Sequence, residues 1–229
     1  MYGIVLVDGN WRAKVQHRAS PEDVPQRLLR DIQQVVQYCD GVAIPILLWD
    51  HPNSSNPRKR LLPGYKSKRD QDVMASRAVA NALRLMVNLE ACWWHEDYES
   101  DDLIASIARQ WPEIPMLIYS ADKDMHSLLR GCGVRSQLVA KHGILPETWG
   151  FMGDLSFKHK FGVEVEQFYE YQALAGDSSD SIPGIVTIGP DSAKKILNQY
   201  ATVAEAVQNI DTLEISQSRR DRLLTGYQD

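Results

Sequence analysis

The chain has 229 residues, 44% of them hydrophobic and 24% charged, with a formal net charge of −5. That length and apolar fraction support one sizeable packed domain with a smaller appendage and exclude intrinsic disorder. No apolar run approaches the ~20 residues that a membrane helix needs, the apolar opening at residues 1–7 is too short for a signal peptide, and the scattered Cys39, Cys92 and Cys132 lack zinc-type spacing and fit a reducing cytoplasm.

Residues 3–7 form a short apolar run that reads as a buried strand, stopped by Asp8, Gly9 and Asn10 as turn residues. Residues 21–38 read as a helix entered through Ser20, Pro21 and Glu22, with Val24, Leu28, Ile32, Val35 and Val36 on its apolar side. A second strand at 43–49 ends at Asp50, and the Pro-, Asn- and Ser-rich stretch 51–63 reads as loop. Residues 72–89 have helical periodicity, and Arg77 and Arg84, a heptad apart, share a face. A short strand at 91–94, a helix at 101–110 and a strand at 115–119 follow, with a further strand or hairpin edge at 134–139. Strands alternating with helices predict an α/β fold with a mostly parallel central sheet flanked by helices.

From residue 146 the strand pattern stops. Residues 164–175 and 191–200 are helical, and 176–189 are turn-rich. The chain thus divides into an α/β core at 1–145 and a helical region at 146–229, whose hairpin lies within 176–200.

The charge is segregated, and this makes the net value a poor guide to partners. Arg58, Lys59, Arg60, Lys66, Lys68 and Arg69 crowd one stretch without an acid, whereas acids gather at 96–102, at Asp122 and Asp124, and at Asp177 and Asp180. Asp8, Asp50 and the Asp122/Asp124 pair fall at the carboxyl ends of predicted strands, the edge where open parallel sheets bind ligands. Glu99, Asp101 and Asp102 begin a helix and can face the same edge. Each group alone reads as a cap or turn acid. Together they predict a site for hard cations with oxygen ligands, two Mg²⁺ or Mn²⁺ beside phosphate, roughly 3.5–4 Å apart, in a two-metal displacement.

Two further constellations supply what such metals would act on. The segment Ile182-Pro183-Gly184-Ile185-Val186-Thr187-Ile188-Gly189-Pro190 reads as a tight hairpin between helices, in which Gly184 and Gly189 permit positive φ and close approach. Gly184, Ile185 and Gly189, with Lys194 and Lys195 on the next helix, are candidate contacts to a nucleic-acid backbone. In the basic stretch, Lys66 and Arg69 can stabilise charge on a scissile phosphate, Tyr65 can stack on a base, and Lys68 adds charge. Arg77 and Arg84 can form a wall beside DNA.

These motifs resemble the 5′ nuclease family of phage 5′-3′ exonucleases, flap endonucleases and the 5′ nuclease domain of bacterial DNA polymerase I. The most specific is Gln172-Ala173-Leu174-Ala175-Gly176-Asp177-Ser178-Ser179-Asp180-Ser181-Ile182-Pro183-Gly184, running on to Ile188-Gly189-Pro190. Tyr65-Lys66-Ser67-Lys68-Arg69, Glu99-Ser100-Asp101-Asp102 and Ser120-Ala121-Asp122-Lys123-Asp124 resemble its other motifs, and Asp8 and Asp50 match its single strand-end acids. Ser100 and Ser181 stand where that family commonly has Ala and Asn.

The resemblance implies a PIN-like sheet, a basic arch at about 58–97 and a helix-hairpin-helix (helix-3-turn-helix) motif. It places Asp8, Asp50, Glu99, Asp101 and Asp122 around one metal, with Asp124, Asp177 and Asp180 near the other. It makes Lys66 the catalytic cation with Arg69 beside it, places K⁺ at the hairpin, and implies 5′-phosphate products. The expected partners are DNA 5′ ends, flaps and nicked or branched duplex, with RNA primers as a further substrate, for a monomer acting in the cytoplasm away from membranes. Two other readings share some of these residues: a ribonuclease of the related PIN class, against which the hairpin argues, and a structure-specific DNA-binding protein without catalysis.

Overall fold

The structure is a computed structural model describing residues 2–61, 73–86, 92–129, 134–140, 149–178 and 182–228. It divides into two units, Met1–Gly153 and Asp154–Asp229. The first contains β1 (Ile4–Asp8), α1 (Gly9–Ala19), α2 (Val24–Tyr38), β2 (Ile44–Asp50), α3 (Asn56–Leu61), α4 (Val73–Met86), β3 (Cys92–His95), α5 (Ser100–Gln110), β4 (Met116–Tyr119), β5 (Val134–Ala140) and β6 (Trp149–Met152).

The sheet order is β3-β2-β1-β4-β5-β6. The pairs from β3 to β5 are parallel, and β6 pairs antiparallel with β5. The order reverses between β1 and β4, so a crevice opens at the carboxyl ends of those strands. Register fixes what meets there: Asp8 lies opposite Leu48, Asp50 opposite His95, and Val7 opposite Tyr119.

The central strands β1 and β4 are buried along their whole length and accordingly apolar apart from the terminal Asp8. Val5, Val7, Leu47, Trp49, Leu117 and Tyr119 pack with Leu28, Ile32 and Val35 of α2 and Ala78, Ala82 and Met86 of α4. Leu6, Leu48 and Ile118 alternate to the opposite side and are equally buried, as are Ile104 and Ala108 of α5, which packs on β1 and β2. Each Val, Leu, Ile or Met among them contributes about 1.5–3 kcal/mol on leaving water.

Four sequence-based expectations change. The turn expected at Gly9 and Asn10 is the first turn of α1. Gly9 is there for clearance, since a Cβ would stand 2.7 Å from the Trp49 ring. The residues of α1 hid its helical period because its buried side is polar: Arg12 Nε donates to Asp31 Oδ2 at 2.5 Å, Gln16 donates to the same oxygen, and the guanidinium lies 5.4 Å from the Tyr119 ring centroid. The expected loop after Asp50 contains α3. The strands continue to Met152, so the division falls after Gly153 rather than at 145; hydrogen bonding to β5 is what retains β6 in the first unit. Within the span expected to form an arch, β3 belongs to the sheet and α4 packs on α1 and α2.

The second unit contains α6 (Asp154–Phe161), a 3-10 turn (Val165–Gln167), α7 (Phe168–Ala175), α8 (Pro190–Gln199), α9 (Val203–Gln208) and α10 (Gln217–Gln228). Phe157, Phe161 and Phe168 pack ring to ring, and Leu174, Ile188, Ala193, Ile196 and Leu197 complete its buried centre. No described helix is long and apolar enough to cross a membrane.

The Arg12–Asp31 pair joins α1 to α2 with both side chains 1% exposed. Asp31→Ala leaves the guanidinium buried without its partner and should destabilise the fold by about 3–5 kcal/mol. Urea denaturation followed by circular dichroism measures this, and a loss below about 1 kcal/mol would show that the pair is not needed.

Candidate active site

Asp8, Asp50, Asp101, Asp102 and Asp122 each accept a hydrogen bond from a backbone amide. Asp8 ends β1 and is the N-cap of α1, its Oδ1 accepting from Trp11 N at 3.0 Å. Asp50 ends β2, and its Oδ1 accepts from Ser100 N, in the first turn of α5, at 2.7 Å. Glu99 is the N-cap of α5 in a capping box with Asp102, whose Oδ2 accepts from Glu99 N at 3.1 Å. Asp122 is the N-cap of a 3-10 turn, Lys123–Leu128, accepting from Asp124 N at 3.0 Å. These amides, with the positive ends of the helices, are what make such a density of carboxylates tolerable.

Ser120, fully buried after β4, joins two of the acids. Its hydroxyl donates to Asp8 Oδ2 at 2.9 Å and accepts from Asp122 N at 3.1 Å. The sequence carried this signal in its Ser-Ala-Asp-Lys-Asp motif, but only the pairing of β1 with β4 shows what the serine holds.

The electrostatics are unfavourable for an apo protein. Burial, first, and the charges of Asp50 and Asp122 push the Asp8 carboxyl from 3.8 up to about 6, against the lowering effects of the Trp11 amide and the Ser120 hydroxyl. Burial likewise raises Asp101 to about 6, opposed by the Arg58 guanidinium and reinforced by Asp102 and Glu99. Arg58, on α3, bridges this second group: Nη1 contacts Glu99 Oε2 and lies 3.5 Å from Asp101 Oδ2, and Nη2 lies 2.6 Å from Asp102 Oδ1. The sequence placed Arg58 in the basic stretch, with nothing to indicate that it folds back onto the acids 41 to 44 positions later.

The acids therefore stand in two neighbouring groups on one edge. Among the described residues, no three His, Cys, Asp or Glu side chains converge closely enough to hold an ion as they stand. The donor set is nevertheless all oxygen and partly desolvated, and the two oxygens of Asp8 are held by an amide and a hydroxyl rather than by a cation. That chemistry fits hard divalent ions. Asp124 follows Asp122 on the 3-10 turn, half-buried. Tyr65, Lys66, Lys68, Arg69 and Asp180 lie outside the described residues. Arg77 and Arg84 are exposed on α4, and Arg84 lines a cavity of about 480 Å³ with Asp23 and Asn81, beside the start of α2.

In the second unit, Asp177 pairs with Ile182 through two backbone hydrogen bonds of 2.8 Å, and its side chain accepts from Gln172 at 2.9 Å. Gly184 has φ +64°, and a Cβ there would lie 2.4 Å from Gly176 N, so the hairpin closes only with glycine. Gly189 departs from expectation: its φ is −86°, and the positive value falls on Thr187 at +74°. Gly189 is the N-cap of α8, where a Cβ would meet only open space. Ile185 is half-buried, its amide bonded to Leu174 O at 2.9 Å, and Val186 stands exposed at the tip. Lys195 is exposed, whereas Lys194 lies 3.8 Å from Asp191 and folds over Gly162.

Comparison with known proteins agrees with this architecture. The family described as 5′-3′ exonuclease, N-terminal resolvase-like domain, matches residues 6–141, and the 5′-3′ exonuclease C-terminal SAM fold matches residues 163–229. The chain is 29% identical over 238 residues to the flap endonuclease Xni of Shewanella denitrificans, covering 96% of this chain and 86% of that protein. It is 31% identical over 168 residues to the DNA polymerase I of Deinococcus radiodurans, where the match covers 71% of this chain but only 16% of the polymerase. Phage T5 5′-exonuclease, solved with divalent zinc ions bound, superposes with a TM-score of 0.80 at 21% identity over 96% of this chain and 83% of its own, a likeness of fold. With both matched regions in order along the chain, and the acids of the first set along one sheet edge, this protein belongs to the 5′-3′ exonuclease family.

Proposed function

We propose that the chain is a metal-dependent 5′ nuclease that hydrolyses DNA phosphodiesters at or near 5′ ends, including flaps, and leaves 5′-phosphate products. The observation that carries this reading is Asp8. A buried carboxylate at the switch point of the sheet, facing the charges of Asp50 and Asp122, is costly unless a cation is to be held there. Membership of the exonuclease family supports the same assignment.

In this reading Asp8, Asp50, Glu99, Asp101 and Asp122 hold one Mg²⁺ or Mn²⁺, and Asp124, Asp177 and Asp180 lie near the second. When bound, such ions supply an activated water and charge for the leaving oxygen. Ser120 and the capping amides keep the carboxylates oriented. Lys66 and Arg69 act on the scissile phosphate, while the Gly184–Gly189 hairpin, with Lys195, grips duplex backbone without reading bases. K⁺ at the hairpin and RNA primers as substrates belong to the same reading.

A panel of end-labelled flap, nicked, blunt and single-stranded DNAs, with a matched RNA, tests the function. Mg²⁺-dependent release of short products from DNA 5′ ends is expected, and cleavage persisting in excess chelator overturns the proposal. Asp122→Ala should abolish turnover yet leave DNA binding in Ca²⁺ largely intact. Lys66→Ala should slow cleavage by about 10²-fold or more, and an unchanged rate removes Lys66 from the site.

The raised carboxyl gives a signed prediction for the metal-free protein. Because the folded pKa of Asp8 exceeds 3.8, the group's contribution to stability is fully present below that pH and is lost as pH rises through about 6. Ionisation should cost on the order of 3 kcal/mol. Asp8→Asn keeps the cap without the charge. In chelator at pH 8 it should therefore melt several degrees above the parent, and with Mg²⁺ added it should fail to cleave. A variant that melts at or below the parent contradicts the electrostatic account.

A further inference from the structure

Arg58 is one cation placed against three carboxylates. Glu99 is nearly buried, with its side chain 4% exposed, while Asp101 and Asp102 are 30% and 33% exposed. The neighbouring cations stand elsewhere, since Lys59 and Arg60 line a separate cavity with Asn53, Glu96 and Asp97. Asp102 has both oxygens engaged, one by the Glu99 amide and the other by Arg58. A guanidinium has five donors and no acceptor, so Arg58 and a metal ion are alternative positive partners for the same carboxylate charge. Nη1 lies between Glu99 Oε2 and Asp101 Oδ2, so an ion bridging those two oxygens would take the place that Nη1 holds.

We propose that Arg58 is an internal counter-cation for the metal-free site, displaced when a divalent ion binds Glu99 and Asp101, and thereby passed to a phosphate of the incoming DNA. The proposal rests on the reading of these acids as a divalent-metal site. Two features make the transfer feasible. Arg58 sits on a helix of six residues, short enough to shift without disturbing the sheet. Its side chain is 34% exposed, so its planar fork is accessible to phosphate, which it fits as well as it fits carboxylate. A dication in that place and the guanidinium beside it repel at short range, and the dication takes over most of the carboxylate charge that held Arg58. The net effect is a site that binds metal weakly alone and more tightly with DNA, because the phosphate gives the displaced cation a new partner.

Calorimetric titration of the full-length chain with Mn²⁺, without DNA, tests the first half, comparing the parent with Arg58→Met. The variant should bind Mn²⁺ about 10-fold more tightly, because no cation has to be expelled. It should also melt at a lower temperature in chelator and gain more on adding Mn²⁺. Affinity equal to or weaker than the parent's overturns the proposal. Should Arg58→Met fail to fold, Arg58→Lys keeps the charge but loses the fork. It is then expected to bind Mn²⁺ with a smaller gain, and no gain overturns the proposal.

If the parent and the variants alike bind no Mn²⁺, the metal-site reading itself has failed, which is distinguishable from failure of the counter-cation role. The second half is read from binding of a 5′-flap DNA in Ca²⁺ across a salt series. Losing one phosphate contact should lower the salt slope of Arg58→Met by about 1. An unchanged slope removes the transfer to DNA.

Discussion

Mutual repulsion among carboxylates at the ends of parallel strands is the constraint around which the first unit is arranged. Asp8 is 8% exposed, faces Asp50 and Asp122, and is displaced far from its ordinary titration range. The fold answers with what lies nearest in the backbone. Amides of Trp11, Ser100 and Asp124, the Ser120 hydroxyl and the starts of α1 and α5 all point at carboxylate oxygens. Each of these bonds is worth only about 1.5–3 kcal/mol when one partner is charged. They orient the acids without neutralising them, so the edge keeps the negative charge on which the proposed metal site depends.

This arrangement dissolves an apparent choice in the sequence. Taken singly, each acid reads as a helix cap or turn residue; taken together, they read as metal ligands. Asp8, Glu99 and Asp122 are N-caps in the structure, and they are also acids of the proposed metal site. The capping bond is what positions the carboxylate. It fixes one oxygen of Asp8 on Trp11 and lets β4, through Ser120, fix the other. Strand ends that pass directly into helices, as β1 does into α1, can present such groups with little freedom lost on binding.

What was legible follows from the range of the interactions. Strands β1 and β4, buried along their whole length, write themselves as apolar runs, and β2 and β3 carry apolar runs too, so each of the four was visible within a residue or two, with an acid at or after each end. Elements held by long-range contacts were not. Helix α1 looks like a turn because Gly9 makes room for Trp49, forty positions away, and because its buried side is Arg12 and Gln16 reaching Asp31. Strand β6 exists because β5 offers it an edge. The hairpin glycines divided similarly. Gly184 is demanded by the close approach of Gly176, whereas at Gly189 the backbone is ordinary and Thr187 takes the positive φ. Local spacing identifies a tight turn but does not assign which of its residues bears the unusual conformation.

Arg58 shows why the balance of charge cannot be read from the count of it. The chain carries five more acids than bases, yet its cations are concentrated just after β2 and its acids at the sheet edge that β2 reaches. A cation held by sequence neighbours would stay in the basic stretch. Arg58 instead crosses to α5, because a nearly buried Glu99 has more to gain from a guanidinium than the solvated residues beside Arg58 do. An enzyme that must assemble anionic DNA and divalent cations on the same edge needs its carboxylates neither collapsed together nor permanently neutralised. Arg58, a monovalent cation on a short helix, limits the repulsion among three carboxylates without by itself matching their charge.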